Sequence, residues 1–148
     1  MRAEHTRGLA GYLGCAEAFV LLASAHAAIH CLAFRHTTRL LRRWSAPPEA
    51  PGVALAMTKE ARGHIALVRW AVQTVSRRHP LRPRCLARAI AARLMLSRRG
   101  ISSTLYLGLR NRDPRRQSEI VAHAWLGAAD LPVVGGRGKA WKVVGRFA

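Results

Sequence analysis

The sequence predicts an α+β fold in which helices come first and a small antiparallel sheet follows, with a cysteine-bearing helix packed on that sheet. Three observations lead there. Half of the 148 residues are apolar, enough for one packed core and one ordinary domain. The hydrophobic period is three to four residues as far as Gly100 and two residues after it. Clusters of proline and glycine fall where one element must stop and the next begin.

Residues 16–34 (AEAFVLLASAHAAIHCLAF) are nearly continuous apolar sequence and read as a long helix, buried or docked on a surface. Its length suits a bilayer, which takes roughly 20 residues. Glu17, His26 and His30 lie inside it, however, and polar groups are costly in lipid. Arg35, Arg39, Arg42 and Arg43 make its end strongly basic. Cations suit a helix C-terminus, and they would also suit peripheral contact with anionic headgroups. The run Ser45–Gly52 (SAPPEAPG) is a break. From Val53 to Arg78 the helical pattern resumes, with Ala54, Met57, Ala61, Ile65, Val68, Val72 and Val75 on one face. His79–Arg84 (HPLRPR) is a second break, held extended by its two prolines. A third helix starts at Arg84 or Cys85 and runs to Arg99, with Leu86, Ala89, Ile90 and Leu94 inward and Gly100 ending it.

Beyond Gly100, Thr104–Leu109 alternates as a strand, Asn111–Ser118 reads as a charged loop, and Glu119–Leu126 as a second strand. A turn at Gly127–Asp130 leads to a short third strand, Leu131–Val134, which Gly135 and Gly136 break. The single domain, 1–148, thus divides into a leading helix with its basic end (1–45), a linker (46–52), a second helix (53–79), a Cys/His core (80–136) and a basic tail (137–148) anchored by Trp141 and Phe147.

Composition excludes several functions. Lys and Arg total 25 against seven Asp and Glu, a net charge of +18, and 22 of the cations are arginine. Seven carboxylates leave little room for a catalytic acid pair or a calcium cage, and no DxDxDG, GxxxxGK[ST] or GxGxxG run occurs. Cys15, Cys31 and Cys85 make neither a disulfide framework nor a zinc knuckle, and so sparse a set fits a reducing, cytoplasmic compartment. No A-x-A site closes the apolar stretch, so a cleaved secretion signal is not expected. His26, His30 and Cys31 have metal-ligand spacing but lack a further partner, so neither metal nor cofactor is expected. The basic charge suggests a non-catalytic nucleic-acid-binding module as one alternative. Aromatic residues are only 6%, the arginines are spread along the chain and no nucleic-acid-binding signature is legible, so nucleic acid is not the expected partner.

Cys85 is the first candidate for chemistry. At a helix start, free backbone N–H groups and the positive end of the helix dipole favour a thiolate, and Arg82, Arg84 and Arg88 add positive charge. His123 sits in a predicted strand with Val121 and Trp125 on its own face. If that sheet packs on the Cys85 helix, the imidazole can serve the sulfur as base and then as acid. Asp130, across the turn, is the best placed of the few acids that could orient the imidazole.

The ordered run CLARAIAARLMLSRRGISSTLYLGLR, a charged loop, AHAWL and then LPVVGG resembles the B-type leader peptidases of lasso-peptide biosynthesis, cysteine proteases of the transglutaminase-like, papain-like superfamily. The stretch AEAFVLLASAHAAIHCLAFRHTTRLLRR is similar to that family's leading helix, and the likeness covers roughly residues 14–136. The resemblance implies Cys85 as nucleophile, His123 as general base and removal of the leader from a ribosomally made precursor peptide. It also implies two separate partners, a small winged-helix protein that captures the leader and an ATP-using, asparagine-synthetase-like cyclase that closes the macrolactam. The leading helix begins almost at once, which on this likeness is the split, protease-only form. One departure stands out. Many relatives carry an aspartate near the end of the third strand, where this chain has Val133-Val134-Gly135-Gly136. Asp130, a backbone carbonyl, an amide side chain or a simple Cys–His dyad all remain open, and so does transamidation or deamidation by the same pair.

Overall fold

The computed structural model describes residues 8–31, 39, 58–113, 116–129, 131–136 and 141–148. Among them run three helices, α1 (Leu9–Cys31), α2 (Lys59–Arg78) and α3 (Cys85–Ser97), and four strands, β1 (Thr104–Asp113), β2 (Arg116–Ala128), β3 (Leu131–Val134) and β4 (Lys142–Phe147). The strands form one antiparallel sheet in the order β3-β2-β1-β4. The expected α+β architecture, a cysteine-bearing helix laid on a small antiparallel sheet, is the one observed.

α1 begins at Leu9, seven residues before the apolar run that suggested it. Its buried face is Gly11, Gly14, Ala18, Leu22 and Ala25, small enough for α2 to approach closely, with Leu67 and Ala71 against Gly14. The basic cluster Arg35, Arg42 and Arg43 and the linker 46–52 lie outside the described residues. α2 is capped by Thr58, whose side chain accepts from the Ala61 amide at 3.1 Å, and it buries Ile65, Val68 and Val72 as the periodicity predicts. It stops at His79 because Pro80 follows.

α3 is buried over most of its circumference, because α1 and α2 flank it on one side and the sheet on the other. Ala87, Ala91 and Met95 are therefore fully buried alongside the expected Ala89 and Ile90, while Leu86 and Leu94 are half-buried. Its end is a Schellman motif in which Ile101 N–H donates to Leu96 O and Gly100 N–H to Ser97 O, both at 3.0 Å, with Gly100 at φ +67°. Arg99 then reaches back to Glu17 of α1 at 2.7 Å, fastening the two helices.

Two expectations for the sheet are corrected. The charged loop 111–118 is mostly strand: β1 and β2 extend until Asp113 pairs with Arg116, so only residues 114 and 115 lie between the strands. Backbone pairing in a hairpin does not require apolar side chains, and alternation stops before the ladder does. Residues 137–148 are no mere tail, since β4 pairs with β1 along Leu105–Leu109 and buries Phe147 opposite Leu105. Arg93 of α3 locks that strand from inside the core, donating to Phe147 O at 2.6 Å and Ala148 O at 2.7 Å. Burial pulls its guanidinium below the ordinary arginine range.

The sheet has two unlike faces. Leu105, Ala124, Leu126 and Phe147 face the helices and are buried with them, each fully buried leucine contributing about 1.5–3 kcal/mol. Tyr106, Gly108, His123 and Trp125 share the other face, since Tyr106 pairs with Trp125 and Gly108 with His123.

Candidate active site

Cys85 is the first residue of α3, and its half-buried side chain packs against the core. The approach is rigid. His79 is buried with its ring on Phe19, and its Nδ1 accepts from the Leu81 amide at 3.2 Å, while Arg82 holds φ +43°. Pro83 is fully buried, and its carbonyl accepts from Arg88 Nε at 3.0 Å. His79 is thus a core residue that shapes the turn into Cys85. The N-cap is Arg84, which supplies no side-chain acceptor, so the opening N–H groups of α3 are left to the site. The first helical bond belongs to Arg88, donating to Arg84 O at 3.1 Å.

His123 is partly exposed in β2. Its Nε2 lies 2.9 Å from the carbonyl oxygen of Gly135, twelve residues on. A carbonyl can only accept, so Nε2 carries the proton and Nδ1 is the nitrogen left to take one. The glycines explain how the carbonyl gets there. Gly135 and Gly136 have φ of +85° and +78°, and the chain turns on them directly after β3. A Cβ on Gly135 would lie 2.7 Å from Ala124 O and 2.8 Å from Trp125 Cβ, so only glycine permits this approach. Trp125 and Trp141 flank the imidazole, with ring centroids at 6.1 and 4.9 Å. The guanidinium of Arg110 covers Trp141 at 4.8 Å, and Tyr106 stacks on Trp125 at 5.5 Å.

Arg93 of α3 donates to Phe147 O, and Phe147 pairs with Leu105 and hence lies level with Leu126. Cys85 begins the same helix about 12 Å back along its axis. The alternation puts His123 on the face away from α3, and among the described residues no hydrogen bond joins it to Cys85 Sγ. β3 pairs β2 only at Leu126–Ala128, and beside His123 the edge of β2 meets the turn at Gly135. Asp130, the acid expected to orient the imidazole, lies outside the described residues. The Gly135 carbonyl went unselected in the sequence, where its signal was the glycine pair that ends the third strand.

The described residues thus combine a thiol at an uncapped helix start with a strand histidine that has one ring nitrogen engaged, on a helix and an antiparallel sheet packed together. A sequence model of the transglutaminase-like superfamily matches residues 28–146, and the chain belongs to that superfamily. Its members are often cysteine-dependent enzymes, commonly proteases or transamidases. No curated protein and no solved structure matches the chain.

Proposed function

We propose that the protein is a cysteine protease that removes the leader from a ribosomally synthesised lasso precursor peptide, with Cys85 as nucleophile and His123 as general base. The observation that carries this reading is the bond between His123 Nε2 and Gly135 O, which leaves Nδ1 for the sulfur's proton. The carbonyl stands after the third strand, near the place where many of the resembling peptidases carry an aspartate. It gives the imidazole a fixed tautomer without a carboxylate, and a dyad suffices because a thiol is intrinsically more acidic and nucleophilic than an alcohol.

In the mechanism, His123 takes the thiol proton and the Cys85 thiolate attacks the carbonyl at the leader–core junction. The open N–H groups at the start of α3 receive the oxyanion. The C–N bond breaks as His123 Nδ1 returns the proton to the departing core amine. Water, deprotonated by the same nitrogen, then splits the thioester and releases the leader as an acid. Before the first step Nδ1 must come within hydrogen-bond reach of Sγ. Such contacts commonly tighten only with substrate in place. The freed amine goes to a separate ATP-dependent cyclase, and a winged-helix protein delivers the leader.

The test is incubation of the chain with a precursor and its leader-binding partner, followed by mass measurement of leader and core. Cys85→Ala abolishes cleavage, while Cys15→Ala and Cys31→Ala retain it. Cleavage by the Cys85 variant at the parent rate would sink the proposal, and a peptide that gains an amine instead of losing its leader would mark a transamidase. Asp130→Asn separates triad from dyad: a loss of about a hundredfold or more assigns the orienting role to Asp130.

A further inference from the structure

α1 is apolar on both sides. Opposite its buried face, at 100° per residue, lie Leu9, Tyr12, Leu13, Phe19 and Val20, all exposed, with Tyr12 at 73% and Leu13 and Val20 at 61%. Ala16 fills the space between them. Of the polar residues on this side, Ser24 turns its hydroxyl inward and donates to Val20 O at 2.9 Å, and His30, exposed near the end of the helix, has its ring 4.4 Å from that of His26. Glu17, at the border, is engaged by Arg99 at 2.7 Å and Arg98 at 3.6 Å. The first three turns of this side thus form a contiguous exposed apolar patch, the kind of surface that marks a protein or membrane contact.

Cations stand at its rim. The Phe19 ring meets His79 at 4.5 Å, which brings the end of α2 and the turn after it alongside the patch. Leu81 is exposed there, and so are Arg77, Arg78, Arg82 and Arg84. The chain as a whole carries +18.

We propose that this face of α1, together with Leu81, docks on the headgroup–acyl boundary of an anionic lipid bilayer, with the helix lying in the membrane plane. An apolar centre with arginines at the border matches that boundary, where aliphatic groups enter the acyl layer and cations meet phosphates. α1 is long and apolar enough to cross a bilayer. Crossing, however, would strip Ala18 and Leu22 from the core and break the Glu17–Arg99 pair. A second copy on this face would bring two arginine rims together. An acidic protein would need cations inside the contact, and the centre of the patch has none.

The full chain is sedimented with vesicles of phosphatidylcholine alone and of phosphatidylcholine mixed with phosphatidylglycerol. It partitions onto the mixed vesicles, and added salt weakens the binding. Leu13→Ser combined with Val20→Ser lowers the partition coefficient at least about tenfold and leaves the circular dichroism spectrum unchanged, because both side chains point out. Arg78→Glu with Arg82→Glu lowers it by at least about tenfold on mixed vesicles only. A parent chain that stays in the supernatant with mixed vesicles overturns the proposal, as do variants that sediment like the parent. A dimer in light scattering that Leu13→Ser with Val20→Ser dissociates, without vesicle binding, assigns the face to a second copy instead.

Discussion

Gly135 and Gly136 provide a matched pair for testing how the imidazole is held. Both have positive φ, so alanine at either carries the left-handed penalty of about 1–2 kcal/mol. Among the described residues, only at 135 does the new methyl meet anything. It lands 2.7 Å from Ala124 O, 2.8 Å from Trp125 Cβ and 2.9 Å from Trp125 Cα, whereas nothing lies within 4 Å at 136. Those contacts fall roughly 0.5–1 Å short of an unstrained approach, and their partners are mostly backbone, which cannot swing aside. Relief adds about 1–3 kcal/mol to the cost of Gly135→Ala and draws its carbonyl away from His123. In urea, with a slope of about 1–3 kcal/mol per molar, the Gly135→Ala midpoint falls roughly 1 M further than that of Gly136→Ala. Nitrogen NMR of the imidazole provides the second measurement: the parent and Gly136→Ala keep the proton on Nε2, and Gly135→Ala populates both tautomers. Equal midpoints, or an unchanged tautomer in Gly135→Ala, would refute the account of how His123 is oriented.

Further outcomes follow from other contacts. Arg93→Ala leaves the carbonyls of Phe147 and Ala148 without their buried donor; it costs about 2–4 kcal/mol in urea melts, and hydrogen exchange quickens in β4 before β2. Gly108→Ala places a methyl 2.7 Å from Trp125 Cζ3 and 2.8 Å from Trp141 Cβ, so the aromatic dichroism changes, stability drops about 1–3 kcal/mol and cleavage slows; an unaltered near-ultraviolet spectrum would contradict the packing. Alkylation by iodoacetamide, mapped by mass, modifies exposed Cys31 well before Cys15. Burial pushes the Cys15 thiol up, so at a given pH less of it is thiolate, and equal rates for the two would contradict that.

The ends of α2 and α3 were legible because each is marked by a residue with one mechanical use: Pro80 stops α2 and Gly100 closes α3. The cap at Thr58 was not read, and the expected start of α2 at 53–57 lies outside the described residues. β3 was legible in full, bounded by a turn and two glycines. β4 was not, because Lys-Val-Val-Gly-Arg-Phe lacks alternation. Its register shifts between Leu107 and Gly108, and the strand is held by pairing and by Arg93, neither of which leaves a local pattern. The alternation of β2 placed His123 with Trp125 correctly, but which face meets α3 depends on tertiary packing, and the reading at the strand put the imidazole toward that helix. The Gly135 carbonyl was hidden for a plain reason: a backbone acceptor looks the same at every residue, and only the turn at Gly135 and Gly136 aims this one at a ring.

The indoles beside His123 give the chain a built-in optical probe. A protonated imidazole quenches a neighbouring indole, whereas a neutral one leaves it bright, and His123 lies 4.9 Å from Trp141 and 6.1 Å from Trp125. With Trp44 and Trp70 replaced by phenylalanine, the remaining emission is a label-free titration of one side chain. The same signal, followed while peptide is added, reports whether bound peptide changes the affinity of that ring for its second proton.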